Sequence, residues 1–293
     1  MNQQTGIRSR RPAPQRAATL AAGLALTATG WAVMWGVVSF WNPLAFAALW
    51  TGAALVMWSA SPAGYPGLRR HIALAVASVP VWWWFELVNT RVQNWEYVHP
   101  FDPSVFWFAL LSSVAFATVV PAITSATDVL RRFTGGHPGL SAASVRFAWF
   151  EVAAGLVLQG LVFAFPVQMY PCVWVAPFLV VDGAAALLTG RSMGADILRG
   201  RWREAAVIGA AGLFCGVLWE FWNYWSTPHW EYSVPLLGFW NVFEMPLLGY
   251  GGYVPFAWSI VRLVHLLDAL QTRAERHRSG YRRETGVAVE HRA

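Results

Sequence analysis

Three glutamates in otherwise apolar surroundings each stand three residues from an asparagine. They are Glu86 with Asn89 in Trp84-Phe85-Glu86-Leu87-Val88-Asn89, Glu220 with Asn223 in Trp219-Glu220-Phe221-Trp222-Asn223, and, in reversed order, Glu244 with Asn241 in Asn241-Val242-Phe243-Glu244. A charged side chain at the centre of a bilayer costs about 2.5–3.5 kcal/mol on insertion scales, so each of these acids calls for a reason. Positions three apart lie on one face of a helix, which places an amide one turn from each carboxyl group. Carboxylates crowded together in a low dielectric do not all ionise. A neutral carboxylic acid held beside an ionised partner is what general acid chemistry requires. We therefore take Glu86, Glu220 and Glu244 as candidate catalytic acid/base groups and Asn89, Asn223 and Asn241 as the amides that orient them.

Two of these stretches extend into a longer match. After Glu86 and Asn89 come Trp95-Glu96-Tyr97 and Pro100; after Glu220 and Asn223 come Trp230-Glu231-Tyr232 and Pro235. This shared order is an internal duplication. A weaker echo pairs Thr51-Gly52-Ala53-Ala54 with Asp182-Gly183-Ala184-Ala185. The chain also holds 19 tryptophans, and although such residues commonly anchor membrane proteins at the interface, Trp219 and Trp222 flank Glu220 and Asn223 at helical spacing. We expect Trp84, Trp95, Trp219, Trp222, Trp230, Tyr97 and Tyr232 to wall a substrate pocket whose ring faces stabilise a cation. Asp182 is a further candidate there, the alternative being a hydrogen-bonded packing residue.

The elements that would carry these residues are transmembrane helices. Of 293 residues, 56% are hydrophobic and only 12% charged, about half the charged share of a soluble domain. Spans of roughly 20 apolar residues are predicted over 17–40, 44–60, 72–90, 104–124, 147–165, 171–190, 205–225 and 237–267. The basic residues are all arginine, and eight spans put 20 of the 21 on the face that carries both termini, with Arg91 alone opposite. By the positive-inside rule that face is cytoplasmic, in what we expect to be a bacterial inner membrane. The predicted organisation is all-α and polytopic: an N-terminal tail over 1–16, a four-helix repeat over 17–125, a linker over 126–146, a second repeat over 147–267 and a charged tail over 268–293. An even number of spans gives the repeats the same orientation and a pseudo-twofold axis along the membrane normal. The eighth span then runs antiparallel to the third and seventh, so the reversed order of Asn241 and Glu244 places three acids at one depth.

Other residues read as structural. Glu151 is expected to reach water near the cytoplasmic surface, Arg262 to snorkel there, Gln159 to make an interhelical hydrogen bond, and Cys172 and Cys215 to be small buried hydrophobes. The glycines and prolines from Pro246 to Pro255 are expected to kink or break the eighth span. The arginine distribution speaks for membrane topology and against a nucleic-acid partner. No histidine pair, phosphate loop or ligand set calls for a metal or cofactor, so the expected partners are membrane lipid and an apolar, lipid-soluble small molecule.

Trp230-Glu231-Tyr232-Ser233-Val234-Pro235, followed by Gly238 and by Glu244 beside Pro246, resembles the membrane-integral lycopene cyclase domain, which is akin to other membrane terpenoid cyclases. The resemblance implies non-redox cyclisation or isomerisation of an isoprenoid of carotenoid or terpenoid type, with Glu244 at the motif acid and Glu86 or Glu220 assisting. Two other classes stay open on the residues: a transporter or channel that binds a proton or cation on the carboxylate cluster, and a non-catalytic membrane scaffold.

Overall fold

The computed structural model describes residues 13–135, 139–235 and 238–285. The arginines at positions 8, 10, 11 and 292 lie outside them. The chain builds α1 (Ala13–Gly36), α2 (Asn42–Ala60), α3 (Leu68–Val92), β1 (Trp95–Val98), α4 (Val105–Phe116), α5 (Val119–Leu130), α6 (Val145–Ala164), the single turn α7 (Pro166–Met169), α8 (Cys172–Thr189), α9 (Met193–Leu198), α10 (Arg203–Tyr224), β2 (His229–Tyr232), β3 (Asn241–Val242), β4 (Met245–Pro246), a 3₁₀ segment (Leu247–Gly252) and α11 (Tyr253–Thr285). Among the described residues, eight spans are long and apolar enough to cross a membrane, with α4 and α5 forming one and the 3₁₀ segment joining α11 in the last. The protein is an all-α polytopic membrane protein.

The fourth span breaks between Phe116 and Val119 for a local reason. Pro121 has no N–H and its ring crowds the carbonyl four residues back, at Ala117. Ser78 of α3 takes over the freed groups: its hydroxyl donates to the Phe116 carbonyl at 2.5 Å and its oxygen accepts from the Val120 N–H at 3.0 Å.

Helix contacts come in matched sets. In the first half α1 packs on α2 and α2 on α5; in the second α6 packs on α8 and α8 on α11. Across the halves, α3 meets α6 as α10 meets α1. Gly52 in α2 and Gly183 in α8, the two glycines of the weaker sequence echo, sit at these crossings, where an added Cβ would strike the α1 backbone at Gly23 and the α6 backbone at Ala148. Small residues that let helix backbones touch are the usual device for packing helices in lipid, where no hydrophobic drive brings them together.

The stretch over 237–246 departs from the predicted eighth helix. It forms the short hairpin β3–β4, in which Asn241 pairs with Pro246 and Val242 with Met245. Trp240 and Phe243 take left-handed backbone angles, φ 55° and 57°, that no helix accommodates. The helix begins at Tyr253, so the eighth span is broken at the glycines and prolines before it, which mark the helix start. Asn241 is exposed, and its amide reaches only the Glu244 backbone carbonyl, at 3.5 Å. The Glu244 side chain has no hydrogen bond among the described residues. The expected third acid–amide pair on a helix does not exist.

Candidate functional site

The loops that follow α3 and α10 pair with each other. β1 and β2 run antiparallel with Trp95 opposite Tyr232, Glu96 opposite Glu231 and Tyr97 opposite Trp230. The register is centred on the equivalent pair Glu96 and Glu231, so the local twofold of the ladder coincides with the relation between the two sequence repeats. Strand alternation turns Trp95, Tyr97, Trp230 and Tyr232 to one face and both glutamates to the other.

Each asparagine of the repeat holds its strand in place. The Asn89 amide donates to the Trp95 carbonyl at 2.8 Å, and its oxygen accepts from the backbone N–H of Asn94 at 2.9 Å and of Trp95 at 3.3 Å. Asn223 does the same one repeat later, donating to the Trp230 carbonyl at 2.6 Å and accepting from the Trp230 N–H at 2.8 Å. Both strands are edges of a two-stranded sheet, and these amides satisfy outward-facing backbone groups that would otherwise be orphaned. The asparagines thus position the β1–β2 strand pair and make no hydrogen bond to the glutamates among the described residues.

Each glutamate instead receives the aromatic side chains that the strand delivers. Glu86 Oε1 accepts from Trp82 Nε1 at 2.9 Å, Trp95 Nε1 at 3.2 Å and the Tyr97 hydroxyl at 2.6 Å. Glu220 Oε1 accepts from the Tyr232 hydroxyl at 2.8 Å and the Tyr253 hydroxyl at 2.5 Å, while Trp230 Nε1 donates to the Tyr232 oxygen at 2.9 Å. Glu220 is fully buried and its Oε2 finds no partner. Neither glutamate has a basic counter-ion among the described residues. On β1, burial first and the adjacent Glu86 second hold the Tyr97 phenol well above its ordinary 10.0. Burial and then Glu220 do the same for Tyr232. Both phenols therefore stay protonated and donate at all physiological pH values.

Between the β1–β2 strand pair and the helices lies a cavity of about 180 Å³. Its polar lining includes Tyr97, Tyr232 and Tyr253 together with Asn42, His99, Ser112, Ser226 and His229; its walls include Trp82, Trp95, Trp174, Trp219 and Trp230. Trp219 stacks on Tyr253 with centroids 5.9 Å apart, and Trp174 stacks on Phe85 at 5.1 Å. The carboxyl groups stand one layer back, behind the phenols. Glu86 and Glu220 therefore reach the cavity through tyrosine hydroxyls, an arrangement that lets a proton pass between carboxyl group and ligand without exposing the charge. Among the described residues no three His, Cys, Asp or Glu side chains gather to hold a metal.

The sequence expectation and the cavity overlap in part. Trp95, Trp219, Trp230, Tyr97 and Tyr232 line it. Trp222 packs behind it against Trp31 and Trp50, with its indole N–H unpartnered. Trp84 is exposed on the lipid side of α3. Tyr253 and Trp174 were missed. A signal for Tyr253 does exist: Gly212 and Gly216 precede Glu220 at four-residue spacing, and a Cβ at Gly216 would collide with the Tyr253 ring. This small-residue stripe brings α11 close enough for Tyr253 to reach Glu220.

Asp182 belongs to a second polar cluster at the other end of the bundle. It is fully buried and pairs with Arg262 of α11. It also accepts from the N–H groups of Met193 at 3.2 Å and Gly194 at 2.7 Å and from the Ser192 hydroxyl at 2.9 Å. Arg262 donates to the Arg191 carbonyl at 3.0 Å as well. The cluster fastens the loop carrying α9 into the bundle. Arg262 does not snorkel and Glu151 does not reach water: each is 2% exposed, and the Ser192 hydroxyl lies 3.2 Å from Glu151 Oε1. An ion pair with four additional hydrogen bonds removes the need for either charge to seek the surface. Tyr253 and Arg262 are nine positions apart on α11, about 14 Å at 1.5 Å per residue, and the buried side chains between them include Phe256, Ala257, Ile260 and Val261.

No protein-family model, curated protein or solved structure matches the chain. Fold and site together define its class: a polytopic α-helical membrane protein with a tyrosine-lined aromatic cavity backed by two uncompensated glutamates.

Proposed function

We propose that the protein is an intramembrane proton-transfer enzyme, an isomerase or cyclase of an apolar isoprenoid, in which Glu220 and Glu86 act through tyrosine hydroxyls. The observation that carries this reading is that three phenols in one aromatic cavity each donate to a glutamate with no basic counter-ion. In the proposed reaction, Tyr253 or Tyr232 gives its proton to one carbon of a substrate double bond and is reprotonated by Glu220. The resulting carbocation rearranges or closes a ring, with Trp82, Trp95 and Trp219 offering their faces to the positive charge. A neighbouring carbon then loses a proton to the Tyr97 oxygen as the phenol passes its own proton to Glu86. One proton enters and one leaves, so product and substrate have the same formula and no redox partner is needed. A cavity of about 180 Å³ exceeds the about 150 Å³ that holds a benzene ring, which suits the end group of a polyene.

The resemblance to the membrane-integral lycopene cyclase domain supports the reading, because its Trp-Glu-Tyr stretch is the strand that lines the cavity. We place the arginine-rich face and both termini in the cytoplasm of a bacterial cell and the β1–β2 strand pair on the far side of the inner membrane. Glu244 receives no role in the proton transfer, since it lies on a hairpin turn. The rival class is a proton or cation carrier, and the apolar stretch of α11 between the two polar clusters weighs against it.

The test is hydrogen exchange into carbon. Purified protein is incubated in D2O with the apolar lipid extract of the cells that make it, and the extract is read by mass spectrometry. The proposal expects deuterium in at least one apolar compound with wild type and none with Glu220→Gln or Tyr253→Phe of the same elution profile. Equal incorporation with and without wild-type protein would overturn it.

A further inference from the structure

A second recess lies on the lipid side of the bundle, behind the wall that closes the aromatic cavity. It has a volume of about 290 Å³ and sits where α3 of the first half meets α6, α8 and α11 of the second. Phe85 lines it and stacks on Trp174, which lines the cavity, so one aromatic layer separates the two spaces. The exposed Trp84 and Leu156 stand at its edge, which opens it to the bilayer.

The lining is apolar but for two side chains. Gln159 of α6 is only 8% exposed, and its Nε2 has no hydrogen-bond partner among the described residues; the expected interhelical bond is not made there. An amide nitrogen buried without a partner carries its full desolvation penalty, and no water in the bilayer core meets that demand. Ser259 of α11 is 4% exposed and donates to the Phe256 carbonyl at 2.6 Å, which leaves its oxygen lone pairs as acceptors. The recess therefore offers donor N–H groups and an acceptor oxygen within an apolar wall, at a depth that only molecules dissolved in the bilayer reach.

We propose that this recess binds a lipid alcohol, an apolar chain ending in a hydroxyl group. A hydroxyl accepts from the Gln159 amide and donates to an oxygen of Gln159 or Ser259, so both ends of the polar equipment are satisfied whichever way the amide is turned. A hydrocarbon leaves the amide orphaned, and a ketone satisfies the donor alone. The site needs no reaction in the aromatic cavity and stands or falls apart from it.

The experiment uses the full chain in liposomes with a diazirine analogue of farnesol as the probe, and as control the same analogue with the hydroxyl replaced by methyl. After photolysis, cross-linked residues are mapped by mass spectrometry. The alcohol is expected to label around Trp84 and Leu156, and excess farnesol to displace it while the parent hydrocarbon does not. Loss of one hydrogen bond in Gln159→Leu lowers this labelling about three- to tenfold, and Val181→Trp, which fills the recess, abolishes it. Equal labelling by alcohol and hydrocarbon in wild type overturns the proposal without recourse to any variant. So does labelling unchanged in a Gln159→Leu protein that elutes like wild type.

Discussion

Replacing Asn223 with alanine should release β2 from the helix that positions it. Asn223 makes two bonds to the Trp230 backbone, at 2.6 and 2.8 Å, and is itself fully buried. Each is worth about 0.5–1.5 kcal/mol net, and the orphaned Trp230 N–H and C=O add a desolvation penalty, for a total of about 2–4 kcal/mol. Because β2 is a four-residue edge strand, the loss falls on local opening of the β1–β2 strand pair more than on unfolding of the bundle. At about 1.4 kcal/mol per decade, amide exchange in the peptide over 226–235 should accelerate about thirtyfold or more, while α2, α5 and α11 keep their protection. Asn89→Ala should act alike on 94–98, since Asn89 accepts from two N–H groups and donates to the Trp95 carbonyl. Hydrogen–deuterium exchange with mass spectrometry reads both. Exchange within about threefold of wild type in these peptides would refute the claim that the asparagines hold the strand pair.

Breaking the buried pair by Asp182→Asn or Arg262→Met should each cost about 3–5 kcal/mol, whereas Asp182→Leu with Arg262→Met should recover part of it; thermal unfolding in detergent, followed by tryptophan emission, compares the three. At Asp196, burial raises the carboxyl pKa, but bonds from Ser141 and Arg201 outweigh it and leave the pKa below its ordinary 3.8. A depressed folded-state pKa contributes stability that is present above the unfolded value and is lost as pH falls through the folded one, so Asp196→Asn should remove part of the loss of stability below about pH 4. A tyrosinate absorbance titration should show the same amplitude up to pH 10.0 in Tyr97→Phe and Tyr232→Phe as in wild type, because those two phenols titrate well above that value.

The eight spans were legible because apolar runs separated by arginine-rich loops leave little choice of topology. The repeat was legible too, yet its mechanics were not: spacing placed Asn89 beside Glu86 on one face, and the structure turns that amide to the backbone of the following strand. What set the partners was a strand pairing between residues 135 positions apart, as in Glu96 and Glu231, which no local pattern encodes. Asn241 and Glu244 misled because an apolar stretch continuous with a helix reads as helix, although Pro246, Gly249, Gly251 and Gly252 mark where that helix could start. Tyr253 was hidden as one more aromatic residue in an apolar run. Asp182 and Arg262, 80 residues apart, each looked like an isolated charge, and only their meeting explains how either is buried.

The most direct measurement compares cells that carry the wild-type chain with cells whose own copy carries Glu220→Gln, by untargeted mass spectrometry of their apolar extracts. The account predicts one pair of compounds of identical formula: one accumulates in the variant and its isomer disappears. Identical isomer profiles in the two strains, with the variant protein present and folded in the membrane, would contradict it.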